Sequence, residues 1–172
     1  MTIFLFTIAA VAGLTAAYWW FIGRNRPIVP PLNIADDDPL MLEAVEKARE
    51  SITELRGHFV ESAEHVQVKV PFVTSSGTTE FLWGELLAIT AEDMEVKYLT
   101  PPVTHTGYLE RIHRHPIGEL RDWVYMKNPG NYQGGFSMRV MFIRGRELWG
   151  ELPPNIKAEE ANYGNISAQN SR

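Results

Sequence analysis

The spacing of apolar positions along this chain changes character from one segment to the next, and each change predicts an element. From Ile3 to Ile22 the run IFLFTIAAVAGLTAAYWWFI carries no charge over twenty residues. As a helix it would span about 30 Å, the thickness of a bilayer's hydrocarbon core. It predicts one transmembrane helix, with Ile3, Phe4 and Leu5 in the apolar layer and Tyr18, Trp19 and Trp20 at headgroup level. From Leu40 to about His58, the residues Met41, Val45, Ala48, Ile52, Leu55 and Phe59 recur at spacings of four and three, the stripe of a helix packed on a core. Gly57 weakens or ends that helix.

After Ala63 the period drops to two. In VQVKVPF, Val66, Val68, Val70 and Phe72 alternate with Gln67, Lys69 and Pro71, a half-buried strand whose proline argues for an edge or a strand end. TSSGT supplies a turn, and TEFLWGELLAIT is apolar on both parities, as a more central strand would be. EDMEVKYLT alternates again, with Met94, Val96 and Tyr98 on one face. PPVTHTG, YLERIHRH, PIGELRDWVYMK and a turn at NPGN lead to YQGGFSMRVMFIRG, where Phe136, Met138, Val140 and Phe142 alternate as in a last strand. The expected fold is α+β: an N-terminal transmembrane helix, then a long helix packed on a mainly antiparallel sheet of about five to six strands. The expected division is a membrane anchor over 1–23, a Pro/Asp-rich linker over 24–37, the α+β domain over 38–153 and a flexible polar tail over 154–172.

Charge gives this plan a direction. Arg24 and Arg26 follow the apolar run, and no acidic residue intervenes before Asp36. The positive-inside rule then predicts a single-pass protein with its N-terminus outside and its domain cytoplasmic. A cleaved secretory signal would want a basic leading segment and a small-x-small cleavage site, and neither is well formed here. Asp36 to Asp38 lack the alternating ligands and late glutamate of a calcium loop, and Asp38 before Pro39 reads as a helix N-cap. The net charge of −5 disfavours nucleic acid as a partner. The absence of cysteine removes disulfides and thiolate chemistry together.

An ordered series of short motifs resembles the YegJ-like family of small bacterial domains of unknown function. The series is VKVPF, a Ser/Gly-rich turn, EFLWGELLAI, a glycine-containing loop, IGELRDWVYM and a GGF segment, and it covers roughly residues 40 to 145. Trp83 and the Asp122-Trp123 pair match a strand tryptophan and a DW-like element of that family. The proline-rich and histidine-rich inserts depart from its shorter loops. The resemblance implies a bacterial source and a compact α+β fold, and it carries over no catalytic residue.

The densest polar cluster is RIHRH. If it is extended, Arg111, His113 and His115 share one face, and Ile112 and Arg114 the other. His113 and His115 could hold a metal with His105 or Glu110, although ordinary loop-flanking surface is the plainer reading and no metal is assigned. Arg111, Arg114 and Arg121 suit a phosphate or an acidic peptide. The carboxylates Glu80, Glu85, Glu110, Glu119 and Asp122 could serve hydrolysis in pairs, but charged residues at strand starts normally face water. Ser75 and Ser76 lack a nucleophile-elbow context, and Gly134-Gly135 suits a bulge or tight bend better than a phosphate loop. Trp83, Trp123 and Trp149 read as core, with any exposed indole an interface anchor. Asn165-Ile166-Ser167 fits a glycosylation sequon by chance.

The expected function is therefore a non-enzymatic protein-interaction domain at the bacterial inner membrane, in its most specific form an immunity-type protein that binds and neutralises a toxin. Its expected partners are the lipid bilayer and an unidentified protein, with no cofactor and no catalytic residue. Its binding candidates are Trp83, Arg111, His113, Arg114, His115, Arg121, Asp122 and Trp123. A small hydrolase using a Glu/Asp/His cluster and an assembly factor of a membrane complex are the competing readings.

Overall fold

A computed structural model describes residues 30–163. The expected transmembrane helix, with Ile3, Phe4, Leu5, Tyr18, Trp19, Trp20, Arg24 and Arg26, and the Asn165 sequon lie outside the described residues. Among the described residues no helix is long and apolar enough to cross a membrane.

Residues 32–163 form one compact unit of α+β architecture. Its first helix, α1 (Pro39–Glu50), starts as the sequence suggests: Pro39 occupies the first turn, and Leu40 N donates to Asp38 Oδ1 at 2.9 Å. The long helix is in fact two, because the chain breaks at Ser51 and resumes as α2 (Ile52–Ser62), passing through Gly57 unbroken. The Ser51 hydroxyl donates to Lys47 O at 2.8 Å, a back-bond that bends helices. It also accepts from the indole Nε1 of Trp123 at 2.9 Å, which ties the break to the sheet.

Six antiparallel strands follow: β1 (Val66–Val73), β2 (Thr79–Ile89), β3 (Asp93–Tyr98), β4 (Ile112–Pro116), β5 (Asp122–Tyr125) and β6 (Gln133–Gly134), in the spatial order β4-β3-β2-β1-β5-β6. β1 is central rather than an edge. Pro71 is tolerated because β5 pairs only with residues Val66 to Lys69 of β1, so that flank is free of ladder bonds at the proline. One face of the sheet buries Val66, Val68, Val70, Leu82, Met94, Val96 and Trp123 against Ala48 and Leu55 of the two helices. Each large apolar side chain so buried contributes about 1.5–3 kcal/mol. On the other face Val124 packs with Phe142, Leu152 and Tyr163, and Trp83 and Trp149 cover them.

The principal correction concerns the last expected strand. Only Gln133 and Gly134 pair in the sheet, and Phe136–Trp149 is a helix, α3. Gly134 and Gly135 take φ of 73° and 66°, a left-handed turn that strips the chain off the edge. A Cβ at Gly134 would run into the backbone and ring of Trp123, and one at Gly135 into the ring of Tyr163. The stretch from Pro154, expected as a polar tail with little to bury, carries α4 (Pro154–Glu160) and a final turn whose Tyr163 is 5% exposed.

Candidate functional site

Asp122 opens β5 and was expected to face water, yet it is completely buried. Its carboxylate accepts from Trp123 N at 2.8 Å, Phe136 N at 3.1 Å, Ser137 N at 2.8 Å and Ser137 Oγ at 2.7 Å. It thereby caps α3, whose own N-cap position is a glycine without a side chain to do so. Burial pushes its carboxyl above the usual range, against the pull of those donors. Trp123, also completely buried, is core and not an exposed anchor, and Trp83 is half-buried at the second cluster.

Lys69 sits at the middle of β1, in register with Trp83 on β2 and with Asp122 on β5, so the three side chains share one face. Its ammonium lies 5.9 Å from the centre of the Trp83 ring. Arg121, whose N–H donates to Lys69 O at 2.9 Å, lays its guanidinium 4.3 Å from the centre of the Phe81 ring. Both cations line a cavity of about 270 Å³ whose remaining wall comes from residues 32–36, α1 and α3. Burial lowers the affinity of Lys69 for its proton, and the charge of Asp122 opposes it; Arg121 is lowered by burial as well. Neither cation makes an ion pair among the described residues. Sequence reasoning put Arg121 with Arg111 and Arg114 and passed over Lys69, because a lysine in an alternating strand reads as solvated face.

The histidine cluster lies on the far side of the sheet. The face assignment in RIHRH holds for β4, where His115 is buried and His113 half-buried while Ile112 and Arg114 point away. Arg114 meets Asp93 at 3.6 Å. His115 Nε2 lies 2.9 Å from Tyr98 Oη, and its Nδ1 lies 2.9 Å from Glu119 Oε2. The Glu119 carboxylate can only accept, so Nδ1–H donates to it and the Nε2 of a neutral ring accepts from the Tyr98 hydroxyl, whose phenol is pushed up to about 12 by burial and by the charge of Glu119. Both nitrogens of a neutral His115 are thus occupied, whereas a general base needs one aimed at substrate. His113 stacks on Tyr98 at 5.0 Å between centroids, and its Nε2 donates to the backbone oxygen of Glu110 at 2.7 Å. His105 stands edge-on to Phe72 at 5.2 Å and accepts from Ser75 N at 3.2 Å, so the histidine meets the serine backbone rather than its hydroxyl. Among the described residues no three His, Asp or Glu side chains are grouped to hold a metal ion.

The remaining candidates are divided between the two faces of the sheet, Glu80 on the face of Phe72 and Glu85 on that of Trp83. Glu80 accepts from Val103 N and Thr104 N, both at 2.7 Å, and from Thr104 Oγ1 at 2.6 Å; these donors hold its carboxyl below the usual range. Glu85 pairs with Lys97 across the strands at 2.9 Å. Arg111 and Arg114 belong with β4 and Arg121 with β5, four strand spacings apart, or ~19 Å at the usual interval. The three arginines do not converge. By contrast, the loop pinned by Glu80 displays Val103 at 91% and Tyr108 at 90% exposure, beside Val73 at 68%. Bonds from Thr78 to Thr104 and from Ser75 to Thr106 lash that loop to the β1–β2 turn. The chain matches no family model, no curated protein and no solved structure.

Proposed function

We propose that this chain is a membrane-anchored, non-enzymatic protein-interaction domain, in its most specific form an immunity-type protein that binds and neutralises a toxin. The observation that carries the reading is the exposure of Val103 and Tyr108 on a loop hydrogen-bonded to Glu80 and to the turn that follows the exposed Val73. An exposed tyrosine held by a fixed loop is an interface anchor that loses little entropy on binding. β4 ends the sheet, with Ile112 at 44% exposure and, among the described residues, no strand paired on its outer flank. The net charge of −5 suits a basic partner. Asp122 lies on the opposite face of the sheet from the histidines, and Glu80, Asp122, His113 and His115 are each engaged in internal bonds, which supports binding over hydrolysis.

The anchor, the inner-membrane location with a cytoplasmic domain, and kinship with the YegJ-like family belong to the same proposal and rest on the sequence. The test is photocrosslinking in native membranes from a reactive residue placed at position 108 of the full chain. A discrete adduct that disappears with Val103→Asp supports the reading, and its identity separates a toxin from a component of a membrane assembly. No adduct, or turnover of ester or glycoside substrates that His115→Gln abolishes, overturns it. A reporter at the C-terminus that is active only outside the cell overturns the orientation alone.

A further inference from the structure

We propose that the cavity containing Lys69 and Arg121 is a binding site for a small amphiphilic phosphate, a phosphate monoester carrying a short apolar group. Two cations from adjacent strands face one space, and among the described residues neither has an ion-pair partner. The acceptor closest in register to Lys69 is Asp122, whose oxygens already accept four hydrogen bonds from Trp123, Phe136 and Ser137. That carboxylate is committed to capping α3: its charge and that of Asp36 act on Lys69, and that of Asp36 on Arg121, but no carboxylate closes to an ion pair with either cation among the described residues. A half-buried cation with no acceptor in hydrogen-bond contact keeps N–H donors to spare, and a bound anion would take them from both cations at once.

The two groups divide the work as their chemistry suggests. Arg121 has its guanidinium carbon over the Phe81 ring, and its N–H groups are left for phosphate oxygens. Lys69 supplies a compact charge beside the Trp83 ring. Ile34, Met41 and Met141 give the cavity an apolar wall, which a bare phosphate would leave unused. Asp36 also lines it, and its charge weighs against the anion. At about 270 Å³ the space takes a headgroup and a few methylenes, not a whole lipid. The group could come from a lipid headgroup or from a soluble phosphate ester.

The experiment uses the full chain in neutral detergent, with indole fluorescence and an amine-acylation footprint of Lys69 read by mass spectrometry. Hexyl phosphate should bind saturably, protect Lys69 from acylation and bind at least tenfold more tightly than inorganic phosphate. Arg121→Met should weaken binding at least tenfold, Lys69→Arg should retain it, and Asp36→Asn should strengthen it. No protection of Lys69 by hexyl phosphate, or unaltered affinity in Arg121→Met, overturns the proposal. Vesicles of phosphatidylcholine doped with phosphatidic acid, compared with phosphatidylcholine alone, distinguish the sources: added protection assigns a lipid headgroup, and protection only by the soluble ester assigns a metabolite. Because Val103→Asp leaves the cavity untouched, failure here and failure of the partner surface are separate results.

Discussion

Asp122 shows how one carboxylate can hold two elements in place. Four donors from β5 and α3 converge on it in a site without water access. In Asp122→Asn one oxygen becomes an NH2 that, facing Ser137, leaves the Ser137 N–H unsatisfied and forces the Ser137 hydroxyl to turn and accept. The expected loss is about 2–4 kcal/mol of stability, read as a lower thermal midpoint of the full chain with the secondary structure retained below it. An unchanged midpoint would mean that the cap is dispensable. The DW pair was visible as a motif, but its role was not, since Ser137 lies fifteen residues further along the chain. His113 and His115 were more legible, because strand parity alone puts them on one face. What parity could not give was the Tyr98 phenol that closes off His115.

At the level of elements, local signals competed and length was the better arbiter. Phe136, Met138, Val140 and Phe142 satisfy a period of two, while Ser137, Val140, Met141 and Arg144 satisfy a helix, and a run of fourteen residues exceeds an ordinary strand. The glycines decide it by turning the chain before the run begins. Gly135→Ala places a side chain at φ 66° and against the ring of Tyr163, so we expect a loss of about 1–3 kcal/mol in chemical denaturation and a disturbed near-ultraviolet signal. The break between α1 and α2 was equally hidden, because the apolar stripe runs through it without a change of phase. Ser51→Ala removes the acceptor of the buried Trp123 indole. Its expected cost is about 1–2 kcal/mol, despite alanine's better helix propensity, with a shifted Trp123 emission as the check. A stabilised protein would show that the serine only bends the helix.

For the molecule as a whole, the β1–β2 hairpin and the α+β class could be read from the sequence, and the sheet order could not. Adding β5 to the far flank of β1 depends on contacts distant in sequence, which no local period encodes. Side-chain contacts of carboxyl and phenol groups give stability its pH dependence. The carboxyls of Asp38, Glu61, Glu64 and Glu80 are held below their ordinary values by Arg144, Lys127, Ser62 and Thr104 respectively. Each contributes stability that is full above its unfolded value, 3.8 for Asp38 and 4.5 for the glutamates, and is lost as pH falls through the folded one. Asp122 has the opposite sign: its folded value is raised above 3.8, so ionisation favours unfolding and its contribution is lost as pH rises through the folded value. Tyr98, raised from 10.0 to about 12, likewise loses its contribution as pH climbs through that interval. The thermal midpoint should therefore be highest between these limbs, fall below about pH 4.5 and fall again above about pH 10. Glu80→Gln should shallow the acid limb, and Tyr98→Phe the alkaline one. A midpoint that kept rising as the pH was lowered to 3 would show that the buried Asp122 outweighs the four paired carboxyls together.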